Sequence, residues 1–248
     1  MMPFDNVIDL SVPLGPSPSE HVPVVIERFT HADGGAHLAE LSGIDREDLD
    51  GGLAWASERI EAITHAGTHV DAPFHYAPAT SGRPSRTIDE LPLRWFLGRG
   101  ICIDAADGEE SVTTAEVEAF LQARGVVVEA GDIVLFRTGA SYGGGDYGER
   151  GRGLAPELIA HLCDRGVRVI GTDAWSIDSS FAVMGGRGAA RVWEAHFTGR
   201  THEFCAIEKL TNLETLPPSG FFVICLPIKV ARGSAGWTRA VALLPEGR

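Results

Sequence analysis

Thr64-His65-Ala66-Gly67-Thr68-His69-Val70-Asp71-Ala72-Pro73-Phe74-His75 carries three imidazoles and one carboxylate within eleven residues, at successive gaps of 4, 2 and 4. Every gap is even, so an extended backbone would set all four side chains on one face. A helix is a poor host here, because Gly67, Thr68, Val70 and Pro73 each oppose it. The stretch therefore reads as strand, and a strand commits the chain to a sheet. A straight strand would hold His65 about 13 Å from His69, too far apart for one ion. The chain must bend between them, and Gly67 is where it can. A bent, glycine-hinged segment presenting His65, His69 and Asp71 to one point suits a hard or borderline metal ion. The competing reading is a structural polar network. Against it, three of only nine histidines in 248 residues fall in this one stretch.

Outward from this stretch, strand-like segments recur at Val7–Val12, Gly100–Ala105, Asp132–Thr138, Val167–Asp173, Phe204–Glu208, Phe221–Val230 and Thr238–Leu244. Their apolar runs fit strands covered on both faces. Thr113-Thr114-Ala115-Glu116 fits a capping box and opens a helix that buries Val117, Phe120 and Leu121 and stops at Gly125. A second helix starts at Pro156, buries Leu158, Ile159, Leu162 and Cys163, and stops at Gly166. A shorter one is expected over Ala189–Phe197. Helices alternate with strands early, whereas strands run consecutively near the C-terminus. The expected fold is α/β: a mixed sheet or partly closed β-barrel with helices packed outside. No repeat, low-complexity tract or linker divides residues 1–248, so one domain is expected.

A net charge of −13 argues against nucleic acid or an anionic membrane surface as the main partner. Cys102, Cys163, Cys205 and Cys225 sit singly in apolar settings with no Cys-x-x-Cys, which points to buried, reduced thiols in a cytoplasmic protein. No apolar stretch approaches a membrane span. The glycine-rich run Ser141–Gly153 lacks the ending of a phosphate loop and reads as a mobile surface loop near the site.

The C-terminal third offers His196, His202, Glu203 and Glu208. Glu208 ends the apolar strand Phe204-Cys205-Ala206-Ile207 and needs a partner, because burying a lone charge costs several kcal/mol. Lys209 points to the opposite strand face, which leaves a metal or a structural salt bridge for Glu208. His202 and Glu203 read as a solvated turn. Trp55, Phe74, Trp175 and Trp193 are candidate aromatic walls. Trp55 is the candidate substrate contact, and Phe74 has the wrong parity to face the ion.

His65-x-Gly67-Thr68-His69-x-Asp71-x-Pro73-x-His75 resembles the signature of the cyclase-family metal hydrolases, which include bacterial kynurenine formamidases and isatin hydrolases. Matches continue through Thr87-Ile88-Asp89-Glu90-Leu91, Gly131–Gly139, Ile170–Asp178 and the His196/Glu208 pair, whose spacing is twelve residues. The resemblance implies the family's β/β/α fold, with His65, His69 and Asp71 on one ion. It also implies that Asp71 bridges to a second ion held by His196 and Glu208, and that His75 is the catalytic acid/base. Asp173, Ser176 and Asp178 read as groups that brace the backbone or support the ligands. Pro13–Pro18 stands where formamidases carry Trp-Pro-Gly-Asp, and a segment around His31–Glu58 is inserted. Both features lean toward the isatin-hydrolase side, and family members commonly form homodimers or larger assemblies.

The ligand set contains no thiolate, which suits Zn²⁺ or Mn²⁺, one or two ions per chain. Such an ion lowers the pKa of water toward 7 and polarises a carbonyl, while His75 moves the proton. Hydrolysis of a small cyclic amide, lactone or formamide is the leading expectation. A tailoring cyclase or dehydratase acting on a polyketide-like intermediate is the alternative, and a non-catalytic metal-binding protein is a third reading.

Overall fold

Apolar residues of both parities line the strands, and two separate cores form on the two sides of the sheet they build. In the computed structural model, which describes residues 4–108, 111–186 and 192–245, nine strands make this sheet. In chain order they are β1 (Phe4–Asp9), β2 (His69–Asp71), β3 (Leu97–Asp104), β4 (Ile133–Arg137), β5 (Val169–Thr172), β6 (Cys205–Glu208), β7 (Ser219–Ile224), β8 (Ala235–Trp237) and β9 (Val241–Pro245). Their spatial order is β1-β9-β7-β3-β4-β5-β6-β2-β8. The central run β3-β4-β5-β6 is parallel, and the pairs flanking it on either side are antiparallel.

This is the expected mixed sheet, and it curls. Beyond β1 the chain hydrogen-bonds from Leu10 N to Ala240 O, and Ser11 bridges to Leu210 just past β6. Strands far apart in the sheet order are thereby drawn together into a partly closed barrel. Ile101, Ile103, Val134, Phe136, Ile170 and Ala206 face outward into a core completed by helices. Cys102, Ile133, Leu135, Val169, Cys205 and Ile207 face into the curl, where Leu10, Val223 and Ala242 meet them. All four cysteines are buried and reduced.

The helices, in chain order, are α1 (His31–Ser42), α2 (Pro73–Tyr76), α3 (Thr114–Arg124), α4 (Pro156–Asp164), α5 (Phe181–Gly186) and α6 (Glu194–Phe197). α3 has the expected capping box, with Thr113 accepting from Glu116 N and Gly125 closing the helix at φ 62°. α4 starts on Pro156 as expected and lays Leu158, Ile159, Leu162 and Cys163 into the outer core. No helix among the described residues is long and apolar enough to cross a membrane.

Several expectations need correction. The Phe221–Val230 strand stops at Ile224, because Pro227 has no N–H for a ladder. Of the expected Ala189–Phe197 helix, residues 189–191 lie outside the described residues; among the described ones the helix is the turn Glu194–Phe197, preceded by Trp193 at φ 62°. Pro73 opens a helical turn instead of continuing the extended stretch, as proline at a first helical position allows. The glycine-rich segment is pinned: Ser19 Oγ donates to Gly144 O, and fully buried Tyr147 donates its hydroxyl to Asp173 O at 2.6 Å. Glu203 is no solvated turn residue either, since Arg86 grips both of its oxygens at 2.6 and 2.7 Å.

The inserted segment forms an arm. Strands Val25–Phe29 and Ser57–Glu61 pair with each other and, among the described residues, with no strand of the main sheet. α1 packs beside them, opened by a capping box in which Thr30 and Asp33 satisfy each other. Gly34 and Gly35 let α1 press onto the following chain, since a Cβ on Gly34 would fall 1.9 Å from Trp55 O.

Candidate metal centre

The bend expected at Gly67 is present. Gly67 adopts φ +59°, a left-handed conformation in which glycine carries no Cβ penalty. It brings the His65 and His69 ring centroids to 5.1 Å. β2 then carries His69 and Asp71 on one face, and its antiparallel register with β6 sets Glu208 directly opposite His69. α6, lying on the same side of the sheet, brings in His196. The α2 turn places His75 with its ring centroid 4.1 Å from that of His65 and 5.5 Å from that of His196.

His65 Nδ1 approaches Asp71 Oδ1 at 2.8 Å, and His69 Nε2 lies 3.3 Å from the same oxygen. His69 Nε2 is 3.6 Å from Glu208 Oε2, while His196 Nε2 is 3.6 Å from Glu208 Oε1 and 3.7 Å from Asp71 Oδ2. The far side of each imidazole is spoken for. His69 Nδ1 donates to Gly67 O at 2.8 Å, His196 Nδ1 hydrogen-bonds Asp178 Oδ2, and His65 Nε2 meets Ser234 Oγ at 3.0 Å. Each near-side nitrogen is thereby aimed at the carboxylates.

Yet His69 Nε2 and both Asp71 oxygens are buried without a hydrogen-bond partner; even the close His65 approach lacks hydrogen-bond alignment. Buried polar atoms rarely go unpaired. Imidazole nitrogens and carboxylate oxygens converging without a hydrogen bond at His69 Nε2 or at either Asp71 oxygen fit a cation. His69, Asp71 and Glu208 offer ligand atoms within 4.8 Å of one another, as do His65, Asp71 and His75. Asp71 belongs to both groups.

The electrostatics follow from burial. Burial works against the Asp71 carboxylate, but the surrounding imidazoles outweigh it and hold Asp71 well below the usual carboxylate range. Glu208 is pushed up by burial and by the charge of Asp71. Burial would lower His196, but the hydrogen bond to Asp178 and the nearby carboxylates of Asp71 and Glu208 overcome it and lift the imidazole to about 10. Burial likewise opposes a charge on His69, and Asp71 and Glu208 overcome it, raising the group. Burial takes His75 down to about 4 despite the pull of Asp71, so its imidazole is neutral at pH 7.

All five expected ligands and His75 are thus gathered at one place. Trp55 is not gathered with them: it lies on the arm, 44% exposed, edge-on to His37 at 6.0 Å. Phe74 is 44% exposed, on the helical turn α2 and not on the regular strand its parity assumed, and Trp175 packs against His21 and Phe181. Trp193 does reach the site, stacking on His196 at 4.6 Å and meeting His75 edge-on at 5.3 Å. Asp178 was legible as a supporting group, and its partner is now defined as His196. Asp173 braces Thr138 and Gly139 through their backbone N–H groups, and Ser176 Oγ accepts from Asp178 N. Ser234, in the loop before β8, had no local signal in the sequence.

Residues 8–179 match the Cyclase family model. Kynurenine formamidases of Erythrobacter litoralis and Maricaulis maris are each 28% identical over 183 residues, or 74% of this chain and 74% and 78% of theirs. Among solved structures, isatin hydrolase A from Ralstonia solanacearum aligns with a TM-score of 0.76 at 25% identity, over 96% of this chain and 92% of that one. An isatin hydrolase bound to the product analogue thioisatinate aligns with a TM-score of 0.76 at 23% identity, over 97% and 92%, a likeness of fold. The matched span takes in the glycine-hinged ligand turn, His75 and Asp178, and the chain belongs to the Cyclase family.

Proposed function

We propose that this chain is a metal-dependent hydrolase that opens a small amide C–N bond, with a cyclic amide as the leading substrate class. The observation that carries the reading is the convergence of His69 Nε2 and both Asp71 oxygens, buried and unpartnered, beside a neutral His75. Relatives named for action on a formamide and on isatin support it. The Pro13–Pro18 stretch and the inserted arm, which lean toward the isatin-hydrolase side, favour the cyclic substrate.

His65, His69 and Asp71 would hold one ion, and Asp71, His196 and Glu208 a second. A bound Zn²⁺ or Mn²⁺ supplies Lewis acidity, which polarises a carbonyl and acidifies water. His75 takes the proton from water as it adds to the carbonyl carbon, then delivers it to the nitrogen as the C–N bond breaks. Asp178 keeps the proton of His196 on Nδ1 and so turns Nε2 toward the carboxylates. Trp193 confines the rings of His196 and His75 between itself and the ligand turn. Metal analysis of the purified protein, with isatin, N-formylkynurenine, lactones and cyclic imides as substrates, tests the reading. A product heavier than its substrate by one water supports hydrolysis. A product lighter by one water replaces it with the tailoring cyclase or dehydratase.

We also propose that a second copy of the chain covers the arm. Strand Ser57–Glu61 is exposed at all five residues, and Val25, Leu41, Ile44, Leu53, Trp55 and Ile60 are each at least 42% exposed.

A further inference from the structure

Behind the ligand turn lies an ion pair that the proposed chemistry leaves unused. Lys209 Nζ meets Glu20 Oε2 at 2.6 Å, and both side chains are only 3% exposed. Lys209 follows Glu208 directly but sits at φ +60°. That left-handed residue turns its side chain away from Glu208 and under the His65–Gly67 bend. There the ammonium also donates to His65 O at 2.9 Å, while Glu20 Oε1 accepts from Gly67 N at 2.8 Å. The Lys209 carbonyl accepts from Thr68 Oγ1 at 2.6 Å. Backbone groups of His65 and Gly67 and the side chain of Thr68 are thus each tied to one of two residues, and these three positions make up the bend between His65 and His69. Tyr142 of the glycine-rich segment adds a hydrogen bond to Glu20 Oε1 at 3.1 Å.

We infer that Glu20, with Lys209, is a positioning residue for the metal centre, holding the glycine-hinged turn in the one conformation that presents His65 and His69 together. A buried ion pair is a weak source of net stability, and apolar residues of similar volume often replace one at no loss of fold. A turn built from a left-handed glycine has many alternative conformations to settle into once its N–H and carbonyl are released. Groups that orient metal ligands in this way typically contribute 10–100-fold to metal affinity. The inference rests on the metal-centre reading above.

The test compares wild type, Glu20→Gln and the double variant Glu20→Leu/Lys209→Met in metal-free form. Each is titrated with Zn²⁺ against a chelator and with Co²⁺, whose visible absorption reports ligand geometry. The double variant is expected to unfold near the wild-type temperature, to bind Zn²⁺ about 10–100-fold more weakly and to give an altered Co²⁺ spectrum. Glu20→Gln, which keeps an acceptor for Gly67 N but loses the charge, should show a smaller loss. Wild-type affinity and spectrum in a folded double variant would make the pair purely structural and overturn the inference. If the double variant does not fold, unchanged affinity in Glu20→Gln overturns it. Failure of the wild-type chain to bind any ion would instead sink the metal-centre reading itself.

Discussion

His75 is the residue on which the chemistry turns, and it differs from the ligands in one respect. Its ring packs against His65, His196 and Trp193, and burial holds it neutral, at about 4. His75→Asn should therefore keep the bound metal while turnover falls by about 10²–10⁴-fold with little change in KM. Metal analysis alongside steady-state kinetics checks this, and a metal-free variant would make His75 a ligand. The ligands behave in the opposite sense. In the metal-free protein His196 is lifted to about 10, so at pH 7 it holds a proton that an ion must displace. Metal binding should release protons to the buffer, and affinity should climb as pH rises through neutrality. Calorimetry in buffers of different ionisation enthalpy measures the release; none at pH 7 would contradict it. The same shift has a sign for stability. The folded His196 pKa lies above the unfolded value of about 6.5, so its stabilisation of the metal-free form is complete below that value. It is lost as pH rises toward 10.

At the scale of elements, the site is assembled by one bend, one register and two short helices. The bend was legible locally: four hydrogen-bonding side chains at even spacing around a single glycine leave few alternatives. Gly67→Ala tests it, because the nearest atoms to an added Cβ belong to Leu14, 3.5 Å or more away. The space is ordinary, and the cost is conformational. The variant should lose about 1–2 kcal/mol of stability from the left-handed backbone and bind metal more weakly, as denaturant unfolding with and without Zn²⁺ would reveal. A variant with unchanged affinity would mean that the turn tolerates a side chain without moving His65. The Glu208–His69 register had no such signature. Neither did α5, which lacks a strong apolar period, nor the Glu20–Lys209 pair, whose members lie 189 residues apart.

For the whole molecule, the curled sheet divides two cores and leaves the arm outside both. Its exposed apolar residues predict a dimer or larger assembly in solution, seen by light scattering. Ile60→Glu should shift it toward monomer without disturbing metal content, because β3 and the other sheet strands do not touch the arm's pairing. A wild-type chain that is monomeric at high concentration would refute the proposal. Much of the architecture was readable beforehand because apolar runs filled on both faces demand cover on both sides. The seven expected strands are all present with shifted ends, and α3 and α4 start and stop where their caps stand. The sequence by itself determined the ligand turn, since the spacing of His65, Gly67, His69 and Asp71 acts within a few residues and backbone geometry converts it directly into direction. Only the tertiary structure decided that Glu208 faces His69, that α6 delivers His196 onto Asp178, and that Glu20 reaches Lys209. Those meetings depend on sheet register and curl, which are set by how both faces of every strand are buried at once and not by any local pattern.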